Sequence, residues 1–580
     1  MPLARMLRIP ALFCAFAVLA CELIARPYAT MGICDDGPYI LIAQKMAATG
    51  HIFYNGNTTP FLGWQLYLGA AFIKLFGFSY TTVRMSTLLV AIMLAFVLQR
   101  TLVRAGITER NATIGTLAMV LSPLYLLLSA TFMTDISGLF GIVVCIYGCL
   151  RALQASTDRS TILWLCFAVA ANAVCGSSRQ IDWLGVLVIV PSALWLLRSR
   201  RRVLLIGTAA TLAGAAFIVG CMFWFLHQPY NVHEPLIPDT FLPLHAVWEL
   251  IYSVLDSALL LLPLVALFLA EVRRTRVLTL AIIAVCFLGY IFVAIHPSHL
   301  RSAFPLEPIP EEIGEWVNVH AIYQFLLIKG EPPVFLHTGA QIVLTVLSFG
   351  GLLGLLASFL RPRLTPPSVD ASARTSWGQL AVLLLPFAAA YTLLLVPRAA
   401  TTGIHDRYLL GLLIVALLFL VRYYQERIQP HLPAASVLLI AVVAVYSVTV
   451  VHNFFAFYRA RVALASELRA AGIPDTSVNN GWEYNFVVEL QHSPYINDSR
   501  IVLPAHAYVR VPPLPASTCP MRWYSYTPHI HPLYGASFDP DACYGPAPFA
   551  PVHYSRWPYA APGTLYVVNY LPTASFLDSR

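Results

Sequence analysis

Residues 61–76 read FLGWQLYLGAAFIKLF, and residues 81–99 read TTVRMSTLLVAIMLAFVLQ. The second segment is apolar apart from Arg84 and long enough to cross a bilayer as a helix. The first is apolar too, but Gly63, Gly69 and Lys74 interrupt it. Whether it crosses decides the threading of everything downstream. We read 61–76 as helix lying at the membrane surface.

The test of that reading is the distribution of basic residues. Further apolar runs fall near 9–26, 112–130, 136–153, 161–176, 183–197, 203–226, 246–270, 277–296, 341–360, 378–396, 407–423 and 434–452. Starting inside, every second turn then carries a basic cluster. These are Arg100, Arg104 and Arg110; Arg151 and Arg159; Arg198, Arg200, Arg201 and Arg202; Arg273, Arg274 and Arg276; Arg361, Arg363 and Arg374; and Arg422 and Arg427. Positive charge is retained on the inner side of membranes, so one threading absorbs nearly all of them. Counting 61–76 as a span would place the same clusters outside. The first run, 9–26, also has features of a signal peptide, and Val18-Leu19-Ala20-Cys21 resembles a lipoprotein cleavage box. The run continues past Cys21, which favours a retained helix.

Composition agrees. Of 580 residues, 58% are hydrophobic and 11% charged, and mean hydropathy is +0.71. A soluble domain carries about 25% charged residues, so too few charges exist here to coat a soluble surface. The formal net charge of +8 sits in the short clusters between apolar runs, which argues against nucleic acid as a partner. The expected fold is an all-α polytopic membrane protein of about thirteen transmembrane helices, residues 1–452, followed by a small α+β extracytoplasmic domain, 453–580. That tail opens with a helix-like stretch, Tyr458 to Ala471, and later holds strand-like Leu565-Tyr566-Val567-Val568. Most cysteines lie within apolar runs as small core residues. Cys519 and Cys543 lie in the tail, and their pairing is expected if the tail faces an oxidising compartment.

With this threading the polar residues gather on the outer side. The loops carry Cys34-Asp35-Asp36-Gly37-Pro38-Tyr39, Thr134-Asp135, Arg179-Gln180-Ile181-Asp182, and His405-Asp406-Arg407-Tyr408. A longer loop near 297–340 carries His296, His299, Arg301, Glu307, Glu311, Glu312 and His320. Each residue taken singly suits a hydrated loop end, and Asp35 also suits a helix N-cap. Together, arginines fit a phosphate leaving group and a carboxylate fits a general base.

The segment from Asp35-Asp36-Gly37-Pro38-Tyr39 through Ala47 to Gly50 resembles the first outer loop of GT-C fold glycosyltransferases, in the group of protein O-mannosyltransferases and aminoarabinose transferases. Leu75-Phe76-Gly77 with Arg84, Thr134-Asp135 and Arg407-Tyr408-Leu409-Leu410 resemble later motifs of that group. It departs at Asp36, where close relatives have Glu, and at Arg179-Gln180, where Lys-Gly is more familiar. The resemblance implies an inverting glycosyltransferase that moves a hexose or pentose from a polyprenyl-phosphate donor to a lipid, glycan or protein acceptor. It implies catalytic roles for Asp35 and Asp36, with Asp35 as general base. Substrate contacts would fall to Tyr39, Asp135, Arg179, Gln180, Arg407 and Tyr408. No cofactor is required by the motifs, and a divalent metal is left open. The pairs His296/His299 and His529/His531 lack the company of a zinc site. A multi-pass transporter or flippase, and a non-enzymatic assembly protein, are the alternatives. Internal repeats, common in transporters, are not evident. The expected location is a bacterial inner membrane with site and tail facing the periplasm, the endoplasmic reticulum being the other compartment that fits.

Overall fold

A computed structural model describes residues 9–235, 240–272, 328–359, 375–401, 403–514 and 519–572. The expected span at 277–296, most of the loop near 297–340, and the clusters at 273–276 and 361–374 lie outside the described residues.

The chain opens with α1 (Pro10–Ala25), α2 (Asp36–Thr49), α3 (Gly63–Phe76) and α4 (Tyr80–Arg104). Helix α1 passes through Cys21 without a break. Helix α3 has 14 residues and so reaches about 21 Å, short of the about 30 Å of a hydrocarbon core. Helix α4 has 25 residues, about 37 Å, and does cross that distance. Ser79 starts it by accepting the Thr82 N–H at 2.9 Å, which satisfies one of the four orphan donors of the first turn.

Next come α5 (Glu109–Val120), α6 (Pro123–Ser129), α7 (Thr134–Leu153) and α8 (Asp158–Cys175). The run expected as one span at 112–130 is two helices bent by 69°. Ser122 caps the second through the Tyr125 N–H, and Pro123 at its first turn cannot donate to the helix before it. Helices α7 and α8 pack through small residues. A methyl added at Gly141 would overlap Cys175, and one at Gly148 would overlap Ala168. Such close backbone approach is how helices pair where no hydrophobic drive separates them from lipid.

After tight turns at Gly176–Ser178 and Gln180–Trp183 come α9 (Val190–Leu196), α10 (Arg201–Leu226) and α11 (Pro243–Leu260). The run expected at 246–270 is also bent, by 79°, between α11 and Leu262–Val272, with Pro263 in the first turn after the bend. Helices α12 (Thr338–Phe359), α13 (Trp377–Ala399), α14 (Leu410–Tyr423) and α15 (Ala434–Ala470) complete the bundle. Among the described residues, 7 helices are long and apolar enough to cross a membrane, or up to 9 if each bent pair is one span. One end of the bundle is closed by buried Arg422, which donates to the carbonyls of Ala105 at 2.9 Å and Thr375 at 2.8 Å and pairs with Glu426.

Helix α15 is 37 residues long, about 55 Å. It runs through positions 452 and 453, where the sequence reading put a domain boundary, and carries the chain directly into the tail. Gly472, at φ +83, then ends it with a reversal that few side-chain-bearing residues adopt. The tail holds α16 (Trp482–His492) and a 4-stranded sheet of β1 (Val478–Asn479), β2 (Tyr534–Ser537), β3 (Val552–Tyr554) and β4 (Gly563–Asn569), in the order β1-β2-β4-β3. Strands β1 and β2 are parallel; β4 runs antiparallel to both neighbours, with Tyr534 opposite Asn569 and Val552 opposite Leu565. The strand-like 565–568 stretch lies in β4. Cys519 and Cys543 are disulfide-bonded.

The tail sits on the end of the bundle that carries α2. A Cβ at Gly37 would lie 3.2 Å from Val487 of α16. The Ile496 N–H donates to the Asn55 carbonyl at 2.7 Å, and the Tyr230 N–H to the Leu503 carbonyl at 2.6 Å.

Candidate functional site

The two neighbouring aspartates at the start of α2 part company. Asp36 is fully buried and accepts four hydrogen bonds. These come from the Ile33 N–H at 2.7 Å, the Phe132 N–H at 3.1 Å, and Arg84 through Nε at 2.7 Å and Nη2 at 3.0 Å. Arg84 also donates to the carbonyls of Ala29 at 3.0 Å and Met31 at 2.7 Å. A buried charge pair of this completeness fixes the loop before α2 to α4 and to the start of α7. No oxygen of Asp36 is left for a substrate. Asp36, expected from the sequence as a catalytic residue beside Asp35, thus has both carboxylate oxygens engaged by protein donors.

Asp35 stands at the N-cap of α2, but its side chain caps no helix N–H. It is one-third exposed and points to Arg407, whose Nη2 lies 3.6 Å from Oδ2. The backbone that allows this is tight. Gly32 and Gly37 touch so closely that a methyl on either would overlap the other.

Asp135 begins α7 and is 3% exposed. One of its oxygens pairs with Arg179, and the other has no partner among the described residues. Arg179 leaves the turn after α8, flanked electrostatically by Asp135 and Asp182. Asp182 is held against α7: a methyl at Gly138 would fall on its carboxylate.

Tyr408 is the hub. The guanidinium of Arg179 lies 4.5 Å from its ring centroid, that of Arg398 4.9 Å and that of Arg407 5.4 Å. Cation–π attraction holds each, and each also faces a carboxylate: Asp135 for Arg179, Asp35 for Arg407 and Glu234 for Arg398. Guanidinium groups match phosphate oxygens in charge and in geometry. Arg398 was missed in the sequence, where it reads as the basic end of an apolar run. It donates to Glu234 at 3.3 Å, and Glu234 also accepts from Arg500 of the tail at 3.1 Å. The loop bearing Arg407 is held by Glu249, which accepts the Ile404 N–H at 3.0 Å. His405 packs edge-on against Tyr408 at 5.0 Å.

Tyr39 is buried within the electrostatic reach of Asp35, Arg407, Tyr408 and Asp135. Burial, then the Asp35 charge, raise its phenol well above the ordinary range, so it is a neutral donor. Gln180 instead donates to the Thr59 carbonyl at 3.2 Å and braces the loop before α3. Of the residues singled out in the sequence, Asp35, Tyr39, Asp135, Arg179, Arg407 and Tyr408 thus share one neighbourhood; Asp36 and Gln180 support it. Among the described residues no group of three His, Cys, Asp or Glu gathers as a metal site. His529 is paired with Glu489 at 2.7 Å, and His296 and His299 lie outside the described residues.

No family model matches the chain, and no curated protein matches it. Among solved structures, ArnT from Cupriavidus metallidurans bound to undecaprenyl phosphate is 12% identical with TM-score 0.41, covering 97% of this chain and 98% of that one. The apo form of ArnT is 16% identical with TM-score 0.40, covering 82% of each. The archaeal oligosaccharyltransferase AglB from Archaeoglobus fulgidus is 16% identical with TM-score 0.39, covering 80% of this chain and 58% of that one. All are members of the GT-C fold. Likenesses of this size decide nothing about chemistry, which rests on the residues above.

Proposed function

We propose that this protein is a membrane glycosyltransferase that moves a hexosyl or pentosyl group from a polyprenyl-phosphate donor to an acceptor hydroxyl or amine, with inversion. The observation that carries the reading is that Asp35 faces Arg407 while the adjacent Tyr408 ring gathers Arg407, Arg179 and Arg398, all drawn from four separate stretches of chain. A lone interfacial aspartate or arginine is unremarkable; a carboxylate beside a cationic triplet is the pair of functions that glycosyl transfer from a phosphate needs.

In this reaction the acceptor oxygen or nitrogen attacks the anomeric carbon and forms the new bond. Its proton passes to Asp35. The bond between the anomeric carbon and the phosphate oxygen breaks, and its electron pair leaves with the polyprenyl phosphate. The phosphate gains a negative charge as it departs, and Arg179, Arg398 and Arg407 stabilise that charge where it develops. The unpartnered oxygen of buried Asp135 accepts a hydrogen bond from a substrate hydroxyl, and Tyr39 donates one. Asp36, through Arg84, keeps Asp35 in place.

The finer topology follows the same reading. Short apolar helices Pro10–Ala25, Gln180–Leu196 and Val346–Phe359 join the longer ones as further spans, in keeping with the about thirteen read from the sequence. The basic turns then face the cytoplasm. Asp35 and the tail from 453 face the outer side, a placement supported by the Cys519–Cys543 disulfide, since such bonds persist in oxidising compartments. We assign the chain to a bacterial inner membrane, with a lipid, glycan or protein acceptor in the periplasm.

The test is transfer in proteoliposomes from a radiolabelled polyprenyl-phosphate sugar to a total envelope extract. The wild type yields a labelled acceptor, and Asp35→Asn loses about 10²–10⁴ of the rate, the range of a general base. Wild-type transfer by an Asp35→Asn protein would sink the assignment, and label crossing the membrane without any covalent product would mark a transporter.

A further inference from the structure

The far end of the bundle carries a second feature, independent of the transfer site. Between α9 and α10 lies a groove of about 370 Å³, lined by Leu194, Trp195, Leu204, Thr208, Leu212 and, at its rim, Arg198. The two helices touch at Gly207, where a methyl would overlap the Leu194 side chain, and the groove opens beside that contact. Leu204 to Leu212 spans eight residues, about 12 Å along the helix, against roughly 15 Å for half of a 30 Å hydrocarbon core. The walls are therefore apolar over most of one leaflet's depth. Trp195 is 62% exposed on the groove's outer lip, the place where tryptophan prefers the headgroup boundary.

The rim is cationic. Arg198 stacks on Trp195 at 4.7 Å and donates to its carbonyl at 2.9 Å. Arg201 and Arg202 are exposed, with no partner among the described residues. Arg200 is neutralised by Asp158 at 2.7 Å, which leaves that carboxylate occupied. Arg198 thus lines an apolar slot, and Arg201 and Arg202 stand exposed in the first turn of α10, the helix that forms one of its walls. We propose that this groove is a binding site for a glycerophospholipid with an anionic headgroup, its acyl chain along α10 and its phosphate against Arg198, Arg201 and Arg202. A zwitterionic headgroup would bring its ammonium against the same cations.

The experiment reads quenching of Trp195 in nanodiscs of phosphatidylcholine doped with dibrominated phosphatidylglycerol or dibrominated phosphatidylcholine. The chain has 11 tryptophans, so the signal is the difference between wild type and Trp195→Phe. The expected result is half-quenching at an at least about tenfold lower mole fraction of the anionic lipid, since each basic residue near a membrane surface adds appreciably to anionic-lipid attraction. An Arg198→Gln/Arg201→Gln/Arg202→Gln protein should lose the preference, and the corresponding triple Lys protein should keep it. Equal quenching by the two brominated lipids, no quenching that depends on Trp195, or an unchanged preference in the triple Gln protein would each overturn the proposal.

Discussion

At the residue scale, two neighbouring aspartates differ only in what their oxygens meet. Asp36 accepts four hydrogen bonds and is fully buried; Asp35 faces Arg407 across 3.6 Å. Removing one partner of a buried ion pair costs about 3–5 kcal/mol. Arg84→Met should therefore lower unfolding stability in detergent by that amount, whereas Asp35→Asn should leave the melting curve unmoved while slowing transfer by about 10²–10⁴-fold. The cationic triplet gives a second contrast. Arg398→Ala should reduce kcat by about 10²-fold, within the range for loss of one group that stabilises developing charge. Tyr408→Phe should retain activity because the ring is kept, and Tyr408→Leu should raise KM for the donor because the surface that the guanidinium groups share is gone. Steady-state kinetics with purified donor separates these outcomes.

At the element scale, the site depends on how α7 lies against the turns that follow α8. Gly138 lets the Asp182 carboxylate pass directly over the helix, and Asp182 in turn stands beside Arg179. Gly138→Ala should push α7 away from that turn. The expected cost is about 1–3 kcal/mol of stability, as for overpacking generally, and at least a tenfold loss of transfer through misplacement of Asp135 and Arg179. Gly220 on α10 is the control: nothing lies within 4 Å of a methyl there. Gly220→Ala should match or slightly exceed wild-type stability, since alanine favours helix by about 1 kcal/mol. Thermal unfolding and transfer assays on the two variants check both. The bends at Ser122-Pro123 and near Pro263 belong to the same scale. Hydropathy averages over a break of one or two residues, so a continuous apolar run reads as one span even where proline divides it.

At the scale of the whole molecule, the threading and the tail act together. Helix α15 enters the tail without interruption, and Glu234 ties Arg500 of the tail to Arg398 beside Tyr408. The tail is thereby joined to the cationic triplet both through the backbone and through charge. The threading itself is open to a direct test. In a background without other accessible thiols, an impermeant maleimide applied to intact spheroplasts should label Thr49→Cys and spare Ser199→Cys until the membrane is opened. Labelling of both, or of Ser199→Cys alone, contradicts the proposed orientation.

Several features were legible in the chain before any coordinates. Apolar runs set the helical membrane class, because length and hydropathy are local quantities. The basic turns carry the proposed threading, and the apolar stretch at 61–76 forms a helix of 14 residues. Asp35, Tyr39, Asp135, Arg179, Arg407 and Tyr408 could be named because they sit at helix ends on one expected side. What no local reading supplies is which of two adjacent carboxylates is saturated, since that depends on Arg84, 48 residues away, and on the Phe132 N–H, 96 residues away. Nor does it supply Arg398 and Glu234, whose partners come from other helices and from the tail. Hydrophobicity and charge are written residue by residue along the sequence; the satisfaction of a buried polar group is a property of everything folded around it, and only the tertiary structure decides it.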